Sequence, residues 1–228
     1  MNLEEKKIKV IHQIPIFPLP NLVFFPKTFL PLHIFEPRYR RMIEDTTASE
    51  NLIGMALLKE GWQQDYFGSP EVHDIACVGK IQQTEKLYDG KYNIMLYGMS
   101  RVRIIGFVQD RPYRIAKVKY LKDFTFDHDE FNETHETAAF LSLLQRYLRE
   151  IGVENIDDLL KLKNQSFESV INQVASILDF TPLEKQKLLE EGRLGVRYEW
   201  LRKLLKEKLF AFGVARKIKY VPKDPSWN

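Results

Sequence analysis

Ser100 in GMSRV, Cys77 in IACVG, five histidines and several acidic pairs are the side chains of this 228-residue chain with chemical potential. A serine nucleophile needs a base within hydrogen-bond reach, and GMSRV neither has the GxSxG form of a nucleophile elbow nor comes with an evident partner. Cys77 lies in an apolar run with only Lys80 near it in sequence, so it reads as a buried thiol. His12, His33, His73, His128 and His135 are scattered, and no HExxH sets two of them on one helical face. They read as structural or solvated. DHDE at 127–130 offers oxygen ligands but lacks the EF-hand spacing, and reads as a solvated acidic loop. Glu4-Glu5, Glu44-Asp45 and Asp157-Asp158 are adjacent pairs whose carboxylates point different ways on a helix or strand, so spacing does not make them an acid and its base. GxxxxGK[ST] and GxGxxG are both missing. No catalytic residue, metal or cofactor is expected, and the chain reads as a binding protein rather than an enzyme.

The elements that would carry a binding surface follow from composition and period. The chain is 44% hydrophobic and 29% charged, with 34 basic against 31 acidic residues. That is a globular composition, too balanced to announce nucleic acid or an anionic membrane. One cysteine excludes an internal disulfide framework, which suits a reducing, cytoplasmic setting, and the start lacks the apolar core of a secretory signal. The run FPLPNLVFFPKTFLPLHIFEPRY, 17–39, holds five prolines, so it is neither a membrane span nor a continuous helix. It predicts strand, corner, strand, and a helix beginning at Glu36-Pro37. Its apolar side chains are chiefly core. Phe24 and Phe25, beside a corner, are the candidates there for an exposed binding patch.

Residues 52–122 alternate short apolar runs with Gly, Asp and Asn and predict strands, with Asp89-Gly90 marking a two-residue hairpin turn. After 133 the period becomes helical, and Thr181-Pro182-Leu183-Glu184 has the form of a capping box. The organisation expected is a leader (1–13), a β-rich lobe (14–122), an acidic linker (123–133), a helical bundle (134–212) and a basic tail (213–228). Within KEGWQQDYFGSPEVHD, Trp62, Tyr66 and Phe67 are candidate protein contacts, because aromatics bring large area with few rotors. Arg101, Arg103, Arg114, Lys117 and Lys119 are the alternative, a basic stripe for nucleic acid, or simply the wet face of a sheet.

IPIFPLPNLVFFPKTFLPLHIFEPRYRRMI, VGKIQQTEKLYDGKYNIMLYGMSRVRI and LDFTPLEKQKLLE together resemble the N-terminal, substrate-recognising domain of Lon proteases, over about residues 14–210. The resemblance implies an α+β fold, a PUA-like β-barrel (pseudobarrel) lobe followed by a C-terminal α-helical bundle, without the ATPase and protease modules. It also implies a protein-binding role toward exposed apolar or unfolded segments, or a partner protein, through the β-lobe and the groove beside the helices. The alternative it leaves is an RNA- or small-ligand-binding PUA-like module. Lys27 stands where that family usually has glycine after the proline.

Overall fold

The computed structural model describes residues 12–124, 132–153 and 165–219. Residues 1–11 of the leader, the DHDE acids and most of the basic tail lie outside the described residues, while His12 and Gln13 belong to the first strand. The chain divides into two compact units, Met1–Phe124 with Asn172–Gly192, and Thr125–Ile171 with Arg193–Asn228.

In the first unit the strands are β1 (His12–Leu19), β2 (Phe29–Ile34), β3 (Leu52–Leu57), β4 (Ile75–Lys86), β5 (Tyr92–Gln109) and β6 (Arg114–Tyr120). β1 pairs parallel with β3 and antiparallel with β6, β3 with β4, β4 with β5, and β5 with β6, which closes a barrel. The 18 residues of β5 outrun the barrel, and their first part carries β2 on the side away from β4. The expected α+β architecture with a β-barrel is what the chain adopts. Alternation fills the interior: Ile14 and Ile16 from β1, Val102 and Ile104 from β5, and Ala116 and Val118 from β6 form one buried cluster.

Helix α1 (Pro37–Thr47) begins with proline in its first turn and buries Tyr39, Met42, Ile43 and Thr46, a spacing that keeps one face inward. Tyr39 meets Phe17 of β1 with ring centroids 4.2 Å apart. Near the end of the same unit, α4 (Pro182–Glu190) starts at the expected capping box, Thr181 and Glu184 satisfying each other's backbone N–H. Its Gln186 donates to the Ile75 carbonyl of β4 at 2.9 Å.

Two turns differ from expectation in form. The β4–β5 hairpin is present, but only Gly90 has positive φ (78°), and Gly90 N–H bonds Leu87 O. A type I′ turn needs positive φ at both central residues, so the connection is the longer form with glycine in the left-handed position. At the corner before β2, Lys27 has φ 60° after Pro26, the pattern a type II turn gives to glycine. Lys27 N–H bonds Gly98 O while Gly98 N–H bonds Thr28 O, two residues opposing one, as in a bulge whose first residue is left-handed. Lys27→Gly is therefore expected to stabilise the domain by about 1 kcal/mol, read as a higher urea midpoint at unchanged m-value.

In the second unit α2 (Glu133–Glu150) and α5 (Leu194–Lys219) pack together with the start of α3 (Phe167–Ile177). Tyr198 holds the centre, its ring 5.5 Å from Phe140 and 5.2 Å from Phe167, its hydroxyl donating to Glu136 at 2.6 Å. That bond holds the half-buried Glu136 carboxyl below its ordinary pKa.

Candidate protein-binding site

Direct partners in a sheet share a face, so the register places Phe29, Pro31 and His33 of β2 beside Tyr97, Met95 and Asn93 of β5, which adjoin Lys80, Gln83 and Glu85 of β4. Three rows result. Lys80, Tyr97 and Phe29 make the first, with the Phe29 and Tyr97 rings 5.0 Å apart. Gln83, Met95 and Pro31 make the second. In the third His33 Nδ1 lies 2.9 Å from Asn93 Oδ1, and Asn93 Nδ2 donates to Glu85 at 3.1 Å. The Gln83, Met95, Pro31 and Asn93 side of this face borders a hollow of about 460 Å³. Phe29 is 66% exposed, and Phe35, 6.3 Å from the His33 ring, is 59% exposed. Phe29 beside the half-buried Tyr97, and Phe35 just past the end of β2, are large rings held in solvent, which makes this face a candidate interaction surface.

The aromatic loop is anchored to the same end of β2. Trp62 packs partly against the barrel cluster and meets Tyr66 edge to face at 5.5 Å. Tyr66 donates its hydroxyl to Glu36 at 2.8 Å, and Glu36 also accepts from Arg38 at 3.0 Å, with Arg38 stacked over Tyr39. Phe67 projects, 83% exposed. Trp62 and Tyr66 thus fix the loop, and Phe67 is the ring it leaves in solvent.

Other expected site residues are placed differently. Phe24 and Phe25 are 3% and 0% exposed, which corrects the expectation of a surface pair. The Phe24 ring lies against Gly79, where an added Cβ would stand 2.7 Å away, and the Phe25 carbonyl rests on Gly98. The corner folds both rings inward. Arg101 is corrected too. It points outward from the barrel, yet α4 covers it, and it donates to Asp123 (2.6 Å), Leu189 O (3.0 Å) and Glu190 O (3.2 Å). Arg114 lies over the Phe107 ring at 3.6 Å and donates to Pro70 O at 2.7 Å, so it too leaves the stripe. Arg103, Lys117 and Lys119 are exposed, Arg103 directly opposite Lys119.

A cleft lined by Arg38, Tyr39, Tyr66, Tyr113 and Arg114 encloses about 20 Å³, room for one water rather than a ligand. Among the described residues no group of acids, histidines or cysteine is placed to hold a metal. Cys77 is fully buried, and that burial pushes its thiol pKa strongly up. Burial likewise pushes Tyr39 from 10.0 up to about 12, and burial with the Asp45 hydrogen bond does the same for Tyr113. The folded state therefore favours the neutral phenols. Their contribution is complete below pH 10 and is lost as pH rises through about 12. Absorbance titration at the phenolate band is expected to show a set of late-titrating tyrosines, one fewer in Tyr113→Phe, with unfolding free energy falling over the same interval.

The family model of the ATP-dependent protease La (LON) substrate-binding domain matches residues 13–207. The chain belongs to the Lon substrate-binding domain family. Relatives include a Lon protease of Anaeromyxobacter dehalogenans, 26% identical over 90% of this chain and 24% of its own length, and Lon protease 2 of Myxococcus xanthus, 27% identical over 90% and 25%. The chain thus spans about a quarter of the length of these curated relatives. Among solved structures, a Lon N-terminal domain protein from Xanthomonas campestris aligns with TM-score 0.61 at 22% identity, covering 84% of this chain and 97% of that one. The N-terminal domain of a Mycobacterium avium complex Lon protease gives 0.65 at 19%, covering 86% and 98%. The Lon N-terminal fold is shared. No described helix is long and apolar enough to cross a membrane.

The sequence reading missed Phe29, Phe35, Met95 and Tyr97. In FLPLHIF the apolar residues fall on both strand faces, so no alternation marks which face is dry. Pro31 was the available signal, since proline within a strand points to an edge.

Proposed function

We propose that this Lon-family domain recognises exposed apolar segments of unfolded polypeptides through the face of Phe29, Tyr97, Met95 and Phe35, with Phe67 as a flanking contact. The carrying observation is the solvent exposure of Phe29 and Phe35 on a sheet face whose polar side chains bond one another and leave the apolar row uncovered. Burying such rings favours association, and the matched family's description as substrate-binding supports the reading. No catalytic group takes part, so the domain selects and holds.

The test uses reduced, carboxymethylated α-lactalbumin, a permanently unfolded chain, as a fluorescent ligand. Phe29→Ser with Phe35→Ser is expected to weaken binding at least about 10-fold, and Phe67→Ser about 3-fold, with unfolding midpoints unchanged. Unaltered affinity in the triple variant would reject this surface. A second reading keeps one observation, the exposed cations Arg103, Lys119 and Lys117 on adjoining strands. RNA retained at low salt and released by replacing those three with Ser would favour it.

A further inference from the structure

Among the described residues β2 ends the sheet order and pairs with β5 alone, which makes its other side an edge. The groups on that edge are fixed by register. Gly98 N–H bonds Thr28 O, and antiparallel ladders alternate. Leu30, Leu32 and Ile34 therefore turn their backbone groups toward β5, while Phe29, Pro31 and His33 turn theirs outward. Pro31, lacking an N–H, stands where a missing donor costs the sheet nothing. Among the described residues, no backbone bond from turns or loops reaches Phe29, Pro31 or His33. The edge offers two donors, Phe29 and His33, and three acceptors, Phe29, Pro31 and His33.

We infer that β2 takes a client segment as an added antiparallel strand. This rests on the apolar-segment reading above and specifies its geometry. The occupant is an extended peptide because only an extended backbone matches groups spaced along every second residue. Residues directly opposite Phe29, Pro31 and His33 share their face, so the client's apolar side chains continue the Phe29 and Met95 rows. The same residues direct their N–H groups to β2. A second copy of β2 fits poorly: pairing centred on Pro31 would set two prolines opposite each other and lose both central donors. The proline thus restrains self-pairing while costing a client one bond.

The experiment titrates the protein with a soluble peptide alternating Val and Thr between terminal lysines, and with two analogues carrying N-methyl groups on the Val or on the Thr nitrogens. With Val on the apolar face, methylation at Val is expected to cost at least about 10-fold in affinity and methylation at Thr less than about 2-fold. Hydrogen exchange at the Phe29 and His33 amides slows only with peptides that bind. In the protein, His33→Pro, which deletes one edge donor, is expected to weaken binding about 3- to 10-fold relative to His33→Ala. Equal losses for the two analogues, or no binding of the parent peptide, would overturn strand addition. If α-lactalbumin binding still depends on Phe29 and Phe35 in that case, the apolar-surface reading survives without it. If that dependence is missing as well, both fall.

Discussion

Arg101→Ala is expected to destabilise the β-lobe by about 3–5 kcal/mol in equilibrium urea unfolding, the range for breaking a buried ion pair from one side. The guanidinium is 3% exposed and bonds Asp123 and the carbonyls of Leu189, Glu190 and Lys122. Leu189 and Glu190 lie in the last turn of α4, where helix carbonyls have no partner along the helix. Arg101 therefore supplies both a charge to Asp123 and a cap to α4. Alanine would remove the guanidinium donor from one carboxylate and three carbonyls. Lysine keeps the charge but cannot fork across these acceptors, so Arg101→Lys should lose about 2 kcal/mol. Asp123→Asn should fall between lysine and wild type because the carbonyl bonds remain. A loss under about 1 kcal/mol for alanine would show that α4 holds to β4 through Gln186 and apolar contacts alone.

That arginine also shows where sequence reading stops. RVRII alternates as a half-buried strand should, and Val102 and Ile104 do face the barrel interior. Alternation separates inside from outside of a sheet but carries no information on which outside positions a helix later covers. Arg101 and Arg103 are equivalent by period, yet α4 buries one and leaves the other in solvent. Local signals served better where the decisive physics was local: Thr181-Pro182 set the start of α4, and Glu36-Pro37 that of α1. The Asp89-Gly90 pair located a hairpin but not its loop length, since Gly90 alone takes positive φ. Phe24 and Phe29 make the sharpest contrast. Both lie in one proline-rich run, and side-chain direction at the corner, set by the close approach of Phe25 to Gly98, buries the first and exposes the second.

Gly98→Ala tests that corner and is expected to cost about 3 kcal/mol or more, at the upper end for overpacking because the obstacle is backbone. An added Cβ would overlap the Phe25 carbonyl oxygen and stand 3.0 Å from the Phe25 carbonyl carbon and Pro26 Cα. None of these atoms moves by a rotamer change. The carbonyl is further tied down by Thr28 Oγ1, which donates to it at 2.7 Å, and Gly98 itself bonds both Lys27 and Thr28. Relief would require lifting the whole corner, breaking the first rung between β2 and β5. Since Phe29 and Tyr97 form the next pair, the same substitution should weaken α-lactalbumin binding even at temperatures where the barrel stays folded. Amide exchange would localise the effect, with Leu30 and Leu96 exchanging faster while Val102 and Val118 keep their protection. A variant as stable as wild type, with unchanged exchange at Leu30, would mean that the corner moves freely on β5. The exposed row of β2 would then owe its position to something other than this close backbone contact.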